Sequence, residues 1–265
     1  MIQIGIAGIP HGAKGKGTEA GIRYLRGLGL DAMEIQFGRN VYMTPESAKS
    51  VSPVAREERV DLSVHAPYYV NLSSKTEKTI EKSKDWIMKS ARVAAAAGAS
   101  MVPVHAAREE NPDLVIAGFR EIVSALGNEH ISVPLGLETM GDLGEFGSVD
   151  DVLEVVQKVP GTAIVIDFAH IYARTDGGLK STEDFSAVLD QVARCGIDHY
   201  HIHFSGIEHK NCREVRHLPL DGKPDFSLLA KALLQSNVDA TVICESPLLE
   251  EDALKMKRII GSLEV

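Results

Sequence analysis

DLSVHAPYYVNLSSKTEKTIEKSKDWIMKSARVAAAAGASMVPVH, residues 61–105, contains a strand, a helix and a second strand, and its reading sets the architecture. Two short, mainly apolar runs, Asp61–His65 and Met101–His105, have the length and composition of buried strands. Between them, from Lys75 to Ala97, Ile80, Trp86, Ile87, Ala91, Ala94 and Ala95 recur near helical spacing. Gly98 follows, a residue able to take the left-handed conformation that ends a helix. Both strands finish on a histidine.

The same alternation extends in both directions. Further strands are expected at Ile2–Ala7, Ala32–Gln36, Pro134–Thr139, Ala163–Asp167, Tyr200–Phe204 and Ala240–Glu245, each followed by a helical stretch. Pro45 fits the first turn of the second helix. The last helix, Glu250 to Leu263, carries Leu254, Met256, Ile259 and Ile260 on an apolar face. Eight βα units in 265 residues close most simply into a single α/β domain, a (β/α)8 TIM barrel over residues 1–265. An open doubly wound sheet is the competing architecture.

Composition bounds the function. A hydrophobic content of 44% is enough to fill a barrel and the layer beneath its helices. The opening MIQIGIAGIP has no basic segment before a long apolar one, and no run approaches the ~20 apolar residues of a membrane span. A cytoplasmic, monomeric protein is expected. Cys195, Cys212 and Cys244 form no CxxC pair, which fits a reducing compartment. The net charge of −9 argues against a broadly basic nucleic-acid footprint. Bound divalent cations would reverse that locally.

His65, His105, Glu138, Asp167, His203 and Glu245 each lie at or beside the C-terminal end of an apolar strand. Strand ends of a barrel ring one mouth, so residues distant in sequence meet there. One histidine or glutamate at such a place is usually a hydrogen-bonded rim residue. Six together, without metal or pairing, would be a costly burial of charge. Imidazoles and carboxylates of this kind suit Zn2+, with Mn2+ an alternative. His170 and His217, in loops at the same mouth, extend the set, and Glu214 is the carboxylate placed to join them. His199 and His201 share the parity of His203 and are expected in lower layers, with His201 beside the ligands. Glu208, His209 and His130 read as surface residues. The loop PHGAKGKG, with His11, Lys14 and Lys16, reads as a flexible turn whose backbone donors and lysines would also suit phosphate.

These segments resemble the endonuclease IV family of apurinic/apyrimidinic endonucleases, zinc-dependent barrels of the xylose isomerase-like superfamily. The matching pieces are SVHAPYYVNL, VPVHAA, LGLETMGD, VIDFAHIYA, HIHFSG, RHLPL and CESP, running from the third strand to the eighth. The resemblance implies a first zinc on His65, His105 and Glu138, and a second on Glu138, Asp167, His203 and Glu245, bridged by Glu138. It implies a third on His170 and His217. The family has an aspartate two residues before the histidine matching His217; this chain has Val215, with Glu214 as the available replacement. Tyr68 and Asn71 match positions at bent DNA, and Arg39 and Asn40 stand where they could reach phosphate or a base edge.

The implied activity is cleavage of damaged double-stranded DNA on the 5′ side of an abasic site, leaving a 3′-hydroxyl and a 5′-deoxyribose phosphate. Glu138 and Glu245 carry the catalytic roles. Two other functions fit the same residues. A sugar isomerase or epimerase would need only Glu138, Asp167, His203 and Glu245 around one metal. A non-catalytic DNA- or metal-binding barrel would retain zinc without cutting.

Overall fold

The computed structural model describes residues 1–197 and 199–264. Its strands are β1 (Ile2–Ala7), β2 (Ala32–Gln36), β3 (Asp61–His65), β4 (Val102–Val104), β5 (Leu135–Glu138), β6 (Thr162–Asp167), β7 (His199–Phe204), β8 (Gly206–His209), β9 (Glu214–Leu218) and β10 (Asp239–Cys244). The helices are α1 (Thr18–Gly27), α2 (Pro45–Ala48), α3 (Val51–Glu58), α4 (Glu77–Ala97), α5 (Pro112–Asn128), α6 (Val149–Lys158), α7 (Phe168–Arg174), α8 (Thr182–Ala193), α9 (Phe226–Ser236) and α10 (Glu250–Leu263).

The parallel strands run in the order β3-β2-β1-β10-β7-β6-β5-β4. Across the remaining seam, Ser63 bridges Met101, and the N–H groups of Val64 and Ala66 donate to the carbonyls of Met101 at 3.1 Å and Pro103 at 2.9 Å. The sheet therefore closes on itself, as expected for a barrel and unlike a doubly wound sheet. The eight expected strands are all present.

Local chemistry sets the element ends. Gly98 stops α4 at φ 72°, and a side chain there would also press on Ser52 Oγ at 2.9 Å. Ser148 and Ser181 open α6 and α8 with reciprocal capping bonds to Asp151 and Asp184. Phe119, Phe168, Phe185, Phe204 and Phe226 are fully buried in the core. Among the described residues no helix is long and apolar enough to cross a membrane. All three cysteines are free, and burial pushes the Cys244 thiol up to about 12.

His170 and His217, expected in loops, lie in α7 and β9. The segment after β7 is an antiparallel hairpin, β8 with β9, folded over the mouth.

Candidate metal centre

Glu138, at the end of β5, is fully buried and forms the hub of the mouth. Its Oε2 lies 3.0 Å from His65 Nε2 and 3.2 Å from His105 Nε2. Its Oε1 lies 3.3 Å from both His203 Nδ1 and His170 Nδ1. Glu138, Asp167, His203 and Glu245 each offer a ligand atom within 4.8 Å of the others. The strand ends thus bring together all six residues singled out at them.

Whether these residues fit a metal can be tested on their hydrogen bonding. Glu138 Oε1, Asp167 Oδ2 and His203 Nδ1 are buried with no hydrogen-bond partner, and all three belong to the same four-residue group. Buried polar atoms are nearly always satisfied, so three converging unsatisfied ones are what a metal site without its ion presents. The donor set is of the nitrogen and oxygen type that zinc or manganese takes.

The other ring nitrogens are anchored, which selects the tautomers a metal needs. His65 donates from Nδ1 to the Ala66 carbonyl at 2.7 Å, and His170 from Nδ1 to the Thr139 carbonyl at 2.8 Å. His203 Nε2 is 3.2 Å from Glu34 Oε2, which leaves Nδ1 facing the centre. Glu34, in mid-β2, escaped the sequence reading. It is fully buried, and it also accepts from Gln36, Ser63 and His201 at 2.8, 2.7 and 3.2 Å. His201 is thus beside the ligands, as its parity implied. Glu34, His201 and His203 are close enough to hold an ion, but this group is satisfied by hydrogen bonds, so it reads as the support of the site above it.

Glu214 stands between His170 of α7 and His217 of β9, with Oε2 3.1 Å from His170 Nε2 and Oε1 3.3 Å from His217 Nε2. A residue three before another normally faces the opposite side of a strand. Here Glu208 pairs with Arg216 and His209 with Glu214, so Val215 is the extra residue of a β-bulge. The bulge moves Glu214 onto the side of His217 and leaves Val215 55% exposed. Gly141 makes the approach possible, since a Cβ there would sit 3.1 Å from Glu214 Cβ.

The charges depend on one another. Burial opposes ionisation of Glu138, but His105 and His203 hold its carboxyl well below the usual range. Burial likewise opposes protonation of His65, yet the Glu138 hydrogen bond and charge raise it to about 9. His170 and His203 are raised by their carboxylates against the same burial penalty, and Glu214 is lowered by its two histidines. Burial pushes the Glu245 carboxyl up, against the pull of His203. The carboxylates thus favour positive charge on His65, His170 and His203, the sign of charge that divalent ions bring.

A cavity of about 440 Å³ opens above this cluster, lined among others by Tyr68, Arg108, Glu145 and Val215. Arg39 donates from Nε to the Tyr68 hydroxyl at 3.3 Å, and Arg39 and Asn40 are exposed on the rim. Asn71 does not fit the expected contact with DNA. It is buried, its amide donates to Glu109 at 2.8 Å, and its oxygen accepts from the N–H groups of Ser73 and Arg108. The structure gives it the task of bracing the β3–α4 loop against the β4–α5 loop. Glu208 and His209 pair with Arg216 and Asp176, away from the cluster.

Residues 22–261 match the xylose isomerase-like TIM barrel family, which is nearly the whole barrel. The chain belongs to that family. Within the xylose isomerase-like barrels, an uncharacterized protein of Methanocaldococcus jannaschii is 33% identical over 273 residues, covering 99% of this chain and 98% of the relative. A probable endonuclease 4 of Mycobacterium leprae is 26% identical, over 82% of this chain and 85% of that protein. Among solved structures, endonuclease IV of Thermus thermophilus superposes with a TM-score of 0.79 at 24% identity, covering 99% of both chains. A D-tagatose 3-epimerase-like protein superposes at 0.77 with 21% identity, covering 99% of this chain and 97% of that one. At these identities the superpositions establish the barrel and leave the chemistry to the site.

Proposed function

We propose that this chain is a zinc-dependent apurinic/apyrimidinic endonuclease that hydrolyses the phosphodiester 5′ to an abasic site. The observation that carries this reading is Glu214 between His170 and His217, beside the group centred on Glu138. One-metal sugar chemistry needs only Glu138, Asp167, His203 and Glu245. A further carboxylate set between two histidines, delivered by a dedicated bulge, supports a site for more than one ion. Relatives named probable endonuclease 4 support the same activity.

Zinc ions, when bound, supply the positive charge that acidifies water and stabilises a departing oxygen. The chain contributes position and proton transfer. Glu138 would be shared between the ion held with His65 and His105 and the ion held with Asp167, His203 and Glu245. His170, Glu214 and His217 would hold the third. Glu245 lines the cavity with its side chain 15% exposed, while Glu138 has none. Its place on the cavity wall makes it the carboxylate able to reach an attacking water and take its proton. Tyr68 on the rim would pack against the opened backbone, with Arg39 and Asn40 reaching phosphate. An abasic nucleotide is the least costly to turn out of a duplex, which supplies selectivity without base reading.

The test is incubation of zinc-loaded protein with a duplex carrying one tetrahydrofuran analogue, beside a His65→Ala variant. A single incision 5′ to the analogue, lost in the variant, is expected. An intact strand at verified zinc occupancy, with turnover of ketoses or aldoses, would replace this reading with the epimerase one, which the 0.77 superposition keeps in view.

A further inference from the structure

The loop PHGAKGKG is not a flexible turn. His11–Ala13 form a 3-10 turn, and the N–H groups of His11 and Gly12 both donate to the buried Glu250 carboxylate at 3.0 Å. The N–H groups of Ala13, Lys14 and Lys16 are spent on carbonyls within the loop. This clamped part of the backbone does not cradle a phosphate, and of the loop's two exposed lysines Lys14 lines the neighbouring cavity.

Beneath this loop lies a second cavity of about 400 Å³. Ile9, Met33, Ile35 and Leu249 give it an apolar lining, and Lys14 and Tyr42 stand exposed at its edge. It is joined to the metal centre. Gln36 lines both large cavities, and a smaller one between them is lined by Gln36, His217, Glu245 and Leu249. Leu249 itself has φ 44° and ψ −114°, a backbone conformation that residues with side chains rarely adopt. Such strain persists where surrounding structure enforces it and gathers at binding sites. The two large cavities are thus neighbours across Gln36, and the lining changes from polar over the ligands to apolar under Tyr42.

We propose that the second cavity is a substrate subsite that seats the base of the nucleotide preceding the abasic one, joined through its 3′ oxygen to the phosphate at the metal centre, with Lys14 facing the next phosphate. This rests on the endonuclease reading and names where its substrate continues. A sugar ring would bury hydroxyls against Ile9, Met33, Ile35 and Leu249 without partners, whereas a flat aromatic base gains from the same lining. Thr18, Gln36 and the Tyr42 hydroxyl can meet the polar edge of the base.

Calorimetric titration of the zinc-loaded full chain with 2′-deoxyadenosine 3′-monophosphate and with 2-deoxyribose 3-phosphate tests the subsite, because the two share sugar and phosphate and carry the phosphate on the oxygen that the nucleotide before the abasic site uses. The nucleotide is expected to bind at least about tenfold more tightly. Ile9→Trp, which fills the cavity, and the surface change Tyr42→Ala should each shrink that preference at unchanged zinc content. Equal affinity for the two ligands, or a preference that neither variant alters, overturns the subsite. Abasic incision is measured separately. Its absence alongside a base preference rejects the endonuclease reading alone, and incision without a base preference rejects the subsite alone.

Discussion

Glu34 Oε2 lies 3.2 Å from His203 Nε2, and this bond decides which nitrogen of His203 faces the metal group. Carboxylates behind ligating histidines fix ring orientation, and their loss typically lowers metal affinity about 10–100-fold. Glu34→Gln replaces an acceptor of three donors on one oxygen with a group that must also donate. Zinc affinity measured by chelator competition should fall by about that factor, with the fold retained by circular dichroism. Unchanged affinity would reduce the contact to packing.

The bulge at Val215 makes a second prediction. Glu214→Ala removes the carboxylate between His170 and His217, and elemental analysis should find about one zinc fewer per chain than in the parent protein. On the proposed reading incision should fall more than DNA binding, because an ion held there would stabilise the departing oxygen. Val215→Ala, at an exposed position with no ligand atom, should leave zinc content as it was. Equal metal content in the Glu214 variant and the parent would remove Glu214 from the ligand set.

The imidazoles set a pH dependence. His65 is raised to about 9 in the folded protein without metal. A raised pKa means that its pairing with Glu138 stabilises the fold fully below the unfolded value of ~6.5 and is lost as pH climbs towards ~9. Zinc requires the neutral ring, so protons compete with metal over the same interval. The melting temperature of metal-free protein should therefore fall between pH 6.5 and 9 relative to the zinc-loaded form. Thermal scans of both forms would check this, and a constant gap would contradict it.

Asn71 yields a stability prediction. Its amide ties Glu109, Ser73 and the Arg108 N–H together beneath the mouth. Asn71→Ala leaves buried partners unsatisfied and should cost about 1–3 kcal/mol in denaturant unfolding. Tyr68→Ala, on the rim, should weaken abasic DNA binding with little change in stability. If Asn71→Ala instead weakened DNA binding at full stability, direct contact would be restored to it.

The strands and the six residues at their ends were legible in the chain itself. A barrel strand buried on both sides reads as an apolar run, and a histidine or carboxylate closing such a run stands out without knowledge of its partners. That repetition favours a barrel, and the seam between Ser63 and Met101 is what excludes the open sheet. Glu34 was hidden because a lone glutamate inside AMEIQ is explained only by His201 and His203, 167 and 169 residues away. Glu214 was visible as a candidate, but nothing in EVRH marks Val215 as a bulged residue; pairing with β8 decides it. Asn71 looked like a loop residue free to reach DNA until the neighbouring loop was seen to use its side chain. The donors of PHGAKGKG looked free because Glu250, which takes two of them, lies 238 and 239 residues further on. Periodic burial is written locally, and sequence by itself determines it. Which polar groups satisfy one another depends on distances that only closure of the barrel creates.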